Sequence, residues 1–240
     1  MKTVPSNFFI GLDLGQSQDY TAECVVERKV TPIDNKESLI EFHVRHLKRY
    51  KLGTPYPKIV KMVGKMQKNK KLGGGAILVV DGTGVGAPVV DMFTQAGLSP
   101  YCIKIHGGDN MTREGRIIRI PKRDLVMRLL VQFQKDRLKI AKGIKAADIL
   151  IKELLNFKVK INPKTAHDSY AAWREGDHDD LVLAVSMAVY VAITIYAAFD
   201  YKATNTPRDF AQMSDYVDAP DNHRSDRGPV CVTKGMGGWM

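Results

Sequence analysis

The chain has 240 residues, an apolar share of 44% and a formal net charge of +10. That length suits one large or two small domains and is enough to bury a core, while the basic balance points toward polyanions such as nucleic acid or an anionic membrane. Three scattered cysteines, Cys24, Cys102 and Cys231, form no C-x-x-C pair, which argues against a disulfide framework or a zinc ribbon and fits a reducing cytosol.

The N-terminus MKTVPSNFFIGLDLG carries no long apolar stretch, because Asp13 interrupts it, so no signal peptide is expected. Phe8 to Leu14 reads as a strand, and Thr21 to Val30, rich in β-branched residues, as a second. Leu39 to Leu47 alternates as a third strand, with Ile40, Phe42 and Val44 on one face and Leu39, Glu41 and His43 on the other. Short connections between the three suggest an antiparallel meander. The period then changes. Pro57 to Lys70 spaces its apolar residues as a helix, and the run AILVV, Ala76 to Val80, reads as a buried parallel-type strand. A short helix over Ala87 to Gln95, a strand over Tyr101 to Ile105 and a loop from Gly107 to about Arg119 follow. Pro121 to Arg137 is an amphipathic helix with proline in its first turn. RLKI is a short extended piece, and Ala146 to Phe157 a further helix.

Leu181 to Phe199 is the most apolar segment, long enough to span a bilayer at about 1.5 Å per residue. Ser186 and Thr194 interrupt it, and Asp177, Asp179, Asp180 and Asp200 flank it where aromatic or basic anchors would be expected. A buried core helix is the expectation. Ala203 to Met240 turns polar and is expected to be a flexible tail, which leaves residues 1–202 as the folded domain. Three strands followed by strand–helix alternation predict an α/β fold: one mixed sheet, antiparallel then parallel, flanked by helices.

Acidic residues recur at three mouths of this scheme. Asp13 ends the first strand, Asp81 ends the AILVV strand, and Asp179 and Asp180 open the last helix. Singly, each has an ordinary reading: Asp13 and Asp81 begin turns, and Asp177 with Asp180 resembles a capping box. Together they fit a shared site, because ligands of open α/β sheets gather at the carboxyl ends of strands. Carboxylates that close raise one another's pKa, and a divalent cation removes the conflict. Oxygen ligands suit Mg²⁺ or Mn²⁺, and two such ions about 3.5–4 Å apart can hydrolyse a phosphodiester. At about 100° per residue, Asp180 continues the apolar line of Ala184, Met187 and Val191, so it is expected to point at the sheet, with Asp179 beside it. His178 and Asp19 are candidates for outer partners of the same cleft.

The stretches FFIGLDLGQSQDYTA, ILVVDGTGVGAPVVDMF, IPKRDLVMRLLVQFQKDRLKI and AHDSYAAWREGDHDDLVLAVSMA resemble the nuclease domain of the large terminase subunit, the DNA-packaging enzyme of tailed bacteriophages. The resemblance covers most of Phe8 to about Tyr196. Its more specific part is the HDDLVLA helix together with both strand-end acids. It implies an RNase H-like fold and metal-dependent cleavage of concatemeric viral DNA during packaging. It implies metal-binding aspartates at Asp13, Asp81 and the Asp179/Asp180 pair, without deciding the principal ligand of that pair. It further implies double-stranded DNA as substrate, with weak sequence preference, and the host-cell cytoplasm as the place of action. The small terminase subunit, the portal and a packaging ATPase would be its partners. One departure bears on this last point: no G-x-x-x-x-G-K-[ST] occurs, so the resemblance is to the nuclease half alone and no motor activity is expected.

Candidate DNA contacts are Arg113, Arg116, Arg119, Lys122 and Arg123, with Arg45, Lys48, Arg49 and Lys51 along the third strand. Three other readings stay open. The same acids suit a Holliday-junction resolvase or transposase. DLGQS and DGTG resemble the phosphate loops of actin-like and sugar-kinase proteins. A DNA-binding module without catalysis would use the acids only as caps.

Overall fold

The computed structural model describes residues 7–15, 19–33, 38–73, 75–84, 86–160 and 179–204. The chain divides into one compact unit, Met1–Asp200, and a second, Tyr201–Met240. All the described strands lie in the first. The expected tail, apart from residues 203–204 at the end of a helix, falls outside the described residues.

Three antiparallel strands come first: β1 (Phe8–Asp13), β2 (Ala22–Pro32) and β3 (Ser38–Arg49). Helix α1 (Tyr56–Gln67) and a 3₁₀ turn at Lys70–Leu72 lead to β4 (Ile77–Asp81), which returns beside β1 in parallel. Helix α2 (Gly86–Gln95) and strand β5 (Tyr101–His106) extend the parallel half. The stretch expected to be a loop instead holds a hairpin of β6 (Thr112–Glu114) and β7 (Ile117–Pro121), with Gly115 at φ 57° in its turn. Ile118 and Ile120 are buried while Arg119 between them is exposed, so β7 is a period-two strand too short to stand out in the sequence. Pro121 is the last residue of β7 and sits at the N-cap of α3 (Lys122–Gln134) in extended conformation, rather than inside its first turn as expected. Strand β8 (Leu138–Ile140), α4 (Ala147–Lys160) and α5 (Asp180–Thr204) complete the order.

The eight strands run β6-β7-β5-β4-β1-β2-β3-β8, with β1 and β4 central and three-residue strands at both edges. This is the expected arrangement for an RNase H-like core: a mixed sheet, antiparallel then parallel, flanked by helices. Alternation along β1 and β4 divides the core into two layers. Phe9 and Val79 join Leu125 and Leu129 of α3, Leu150 and Leu154 of α4, and the body of α5. Ile10, Leu12, Leu78 and Val80 face the other way, onto Ile59 and Val63 of α1 and Val89 and Phe93 of α2.

Residues 181–192 of α5 are buried without a break, which is why its sequence is apolar all round. Among the described residues, no helix is long and apolar enough to cross a membrane. The helix lies against β1 so closely that a Cβ on Gly11 would meet the Ala184 carbonyl oxygen at 2.0 Å. Only glycine admits that approach, and it brings the first turn of α5 over the end of β1.

Candidate active site

Asp13 and Asp81 follow from the register of the central strands. Leu12 of β1 pairs with Val80 of β4, so the next residue on each strand is an aspartate. Both fall in phase with Phe9 and Val79, on the face covered by α5. Asp13 is 8% exposed. Burial, then repulsion from Asp81, Asp180 and Asp179 in that order, holds its carboxyl well above the ordinary range, and a hydrogen bond links it to Asp81. Burial raises Asp81 too. Thr83 offsets this, its backbone N–H donating to Asp81 Oδ1 at 2.7 Å, as do the bond to Asp13 and the charge of Lys122. The DGTG turn therefore shapes the strand end and also steadies one of the acids.

Asp180 is the first residue of α5 and 6% exposed. Ala184, Met187 and Val191, on its line, are buried, as is every residue from 181 to 192. Asp179 precedes it. Its carbonyl accepts the Leu183 N–H at 2.9 Å, and its Oδ2 lies 2.5 Å from Lys122 Nζ at the start of α3. Asp180 acts on Asp13 more strongly than Asp179 does.

Two further residues, Glu153 and Arg49, join the cluster. Glu153 of α4 is 5% exposed. Its Oε2 accepts the Val182 backbone N–H of α5 at 2.9 Å, and its Oε1 accepts from Arg49 Nη2 at 2.5 Å. The same Arg49 nitrogen is 3.3 Å from Asp180 Oδ2. Burial raises the Glu153 carboxyl to about 7, with the Val182 amide and Arg49 offsetting only part of it. A buried acid in the stripe of Leu150 and Leu154 was the available sequence signal. Arg49 reaches the site through a β-bulge: Val26 pairs with Val44 but Val25 with His46, which leaves Arg45 as an extra residue. Beyond the bulge, Leu47 and Arg49 face α5, where strict alternation from Phe42 would have sent His46 and Lys48.

The other candidates lie as follows. Asp19 is exposed and lines a separate hollow of about 210 Å³ with Gly15, Thr21, Lys51 and Tyr56. Backbone covers Gly15 here, Asp19 O standing 2.2 Å from where a Cβ would be. His178 and Asp177 lie outside the described residues. Arg49, expected on a DNA-facing strand, is instead engaged by Glu153 and Asp180. Arg45 pairs with Glu27 at 2.6 Å, Lys48 stacks 4.1 Å from the Tyr50 ring, and Lys51 lies in the hollow with Asp19. Arg113 donates to the Gly115 carbonyl, and Arg116 donates to the Ser99 carbonyl and lies over Tyr101. Arg119 stands 4.0 Å from Glu114, and Arg123 is 3.2 Å from Asp124, both with their side chains half exposed.

The donor set suits a hard divalent cation: carboxylate oxygens, buried and mutually repelling, at the open end of a sheet. Among the described residues, no group of three or more His, Cys, Asp or Glu side chains is placed to hold a metal ion. Asp13 and Asp81 are joined by a hydrogen bond, while Lys122 and Arg49 balance Asp179 and Asp180.

No protein-family model matches the chain, and no curated protein matches its sequence. Among solved structures, the chain is similar to the large terminase nuclease of the thermophilic phage G20c, at 18% identity and a TM-score of 0.46, over 77% of this chain and 82% of that one. It is similar to the terminase nuclease domain of human cytomegalovirus in a manganese-soaked structure, at 14% identity and a TM-score of 0.45, over 80% and 86%. It is also similar to RuvC of Thermus thermophilus, at 11% identity and a TM-score of 0.37, over 80% of this chain and 96% of that one.

Proposed function

We propose that this chain is a DNA endonuclease dependent on Mg²⁺ or Mn²⁺, cutting concatemeric viral DNA during genome packaging as a large terminase nuclease domain. The observation that carries the reading is the carboxyl cluster of Asp13, Asp81 and Asp180. Burial raises the proton affinity of Asp13 and Asp81, and repulsion from Asp81, Asp180 and Asp179 adds to it at Asp13, a conflict that a bound cation would relieve. In this reading Asp13, Asp81 and Asp180 are the ligands and catalytic acids, and Asp179 a further ligand. Two ions bound there would polarise the phosphate, activate water and stabilise the leaving oxygen.

The basic balance of the chain supports a polyanionic substrate. Lys122 touches Asp179, so the residues around it, Arg119 and Arg123, adjoin the cleft from the β7–α3 junction. With Arg113 and Arg116 on the hairpin they would follow the DNA backbone without reading bases. The packaging role and its setting rest on the sequence resemblance: the small terminase subunit, the portal and a packaging ATPase as partners, in the host cytoplasm.

The test is plasmid cleavage in Mn²⁺, Mg²⁺ or EDTA by the wild type and by Asp13→Ala, Asp81→Ala and Asp180→Ala. Cleavage should need the ion and vanish in each variant. Cutting that persists in EDTA, or variants that cut at the wild-type rate, would overturn the assignment. Linear, supercoiled and four-way-junction substrates separate a packaging nuclease from a junction resolvase.

A further inference from the structure

We infer that Arg49 and Glu153 are positioning residues, a two-residue clamp that holds Asp180 and the first turn of α5 in the geometry an ion requires. The inference deepens the reading of the acid cluster as an ion site and rests on it.

Three elements meet in the clamp. The bulge at Arg45 turns the end of β3 so that Arg49 faces α5. Register then forms a row across the sheet: Arg49 opposite Ala22, Ala22 opposite Asp13, and Asp13 beside Asp81. Ala22 is the one small residue in the row, and the start of α5 lies over this end of the sheet. Glu153 reaches in from α4 and uses both oxygens, one on the Val182 N–H and one on Arg49 Nη2. Arg49 spans the remaining gap to Asp180.

The helix thus receives an acceptor for a first-turn N–H from another helix, and Asp180 receives a fixed cation on its outer side. The Glu153 contact holds the backbone of the first turn, Arg49 stands in an ion pair 3.3 Å from Asp180 Oδ2, and each depends on the other. Without Arg49, Glu153 keeps only the amide. Without Glu153, the guanidinium loses its 2.5 Å anchor. Partners of this kind, one layer outside the ligands, typically change metal affinity by about 10–100-fold.

A bare charge effect makes a different forecast. Removing Arg49 would then tighten cation binding, removing Glu153 would weaken it, and the two changes would cancel. A clamp acts as a unit, so its members are non-additive.

The experiment is a double-mutant cycle in the full chain with Glu153→Gln, Arg49→Met and the pair, reading the Mn²⁺ dissociation constant by calorimetry and the melting temperature in EDTA. Gln can still accept the Val182 N–H while losing the charge that holds Arg49. Arg49→Lys serves as the conservative variant should Arg49→Met fold poorly. Each single change should weaken Mn²⁺ binding about 10-fold or more, the double should be no worse than either single, and Arg49→Lys should fall between wild type and Arg49→Met. Shifts of opposite sign that cancel in the double would overturn the clamp. So would unchanged Mn²⁺ affinity with only a lower melting temperature in EDTA, the mark of a purely structural role. A wild type that binds no Mn²⁺ would overturn the ion-site reading and the clamp together, whereas normal wild-type binding with indifferent variants would overturn the clamp alone.

Discussion

Asp13 and Asp81 stand on neighbouring parallel strands, each one residue past a paired position, and a hydrogen bond joins their carboxyls. After burial, repulsion from Asp81 is the largest influence raising the proton affinity of Asp13. Asp81→Asn keeps the shape and a hydrogen-bonding group while removing one negative charge. Plasmid nicking in Mn²⁺ should fall to background, while retention of DNA in a mobility-shift assay should hold or increase, since the cleft repels phosphate less. Wild-type nicking by this variant would contradict the assignment of Asp81.

The raised proton affinity of Asp13 sets a pH dependence. A carboxyl whose folded pKa exceeds its unfolded value contributes stability that is complete below the unfolded value, near 4, and is lost as pH rises through the folded one. Each tenfold difference in proton affinity between the two states is about 1.4 kcal/mol. Calorimetry in EDTA should therefore find Asp13→Asn equal to the wild type near pH 4 and more stable at neutral pH. Adding Mn²⁺ at neutral pH should reverse the order, because only the wild type gains from the ion. Parallel melting curves for the two proteins across this range would refute the buried-acid account.

Gly11 is the contact on which α5 seats. Gly11→Ala must push the helix backbone away from β1, since the added carbon would otherwise meet Ala184 O at 2.0 Å. Overpacking of this kind costs about 1–3 kcal/mol, occasionally more. Urea unfolding should register that loss, and Mn²⁺ affinity should fall with it as Asp180 is carried off the strand ends.

On the opposite face of the sheet, the Tyr50 hydroxyl donates to Glu23 Oε2, and Glu23 is only 2% exposed. Tyr50→Phe leaves that buried oxygen without its donor, at a cost of about 1–3 kcal/mol. Urea unfolding should show the loss, while Mn²⁺-dependent cleavage at a temperature where both proteins are folded should not change. Glu23 pairs with Leu12, whose side chain faces away from Asp13, so the two effects are separable.

The parts of this site that could be read in the sequence are those governed by a short period. Asp13 and Asp81 end apolar strands, and alternation within six residues or fewer decides their face. Asp180 opens the most apolar run of the chain, which marks its place without a structure. Arg49 could not be read this way, because one extra residue in β3 reverses every side chain after it. Glu153 sits in a helix that by composition resembles many amphipathic surface helices, and its partners come from β3 and α5, 104 and 29 residues away. The hairpin over 112–121 reads as a loop in the sequence because its strands are three and five residues long and its tip is charged. In each miss, the deciding contact was tertiary or the repeat was too brief to establish a period.

The sheet ends at both sides on strands of three residues, β6 and β8. β6 offers an incoming chain roughly 10 Å of ladder, whereas β8 pairs with only Phe42, His43 and Val44 of the twelve-residue β3. β6, with Thr112, Arg113 and Glu114 all exposed, adds charge to brevity. A chain adding at the β6 side would therefore find too little ladder, and too much charge, to zip onto.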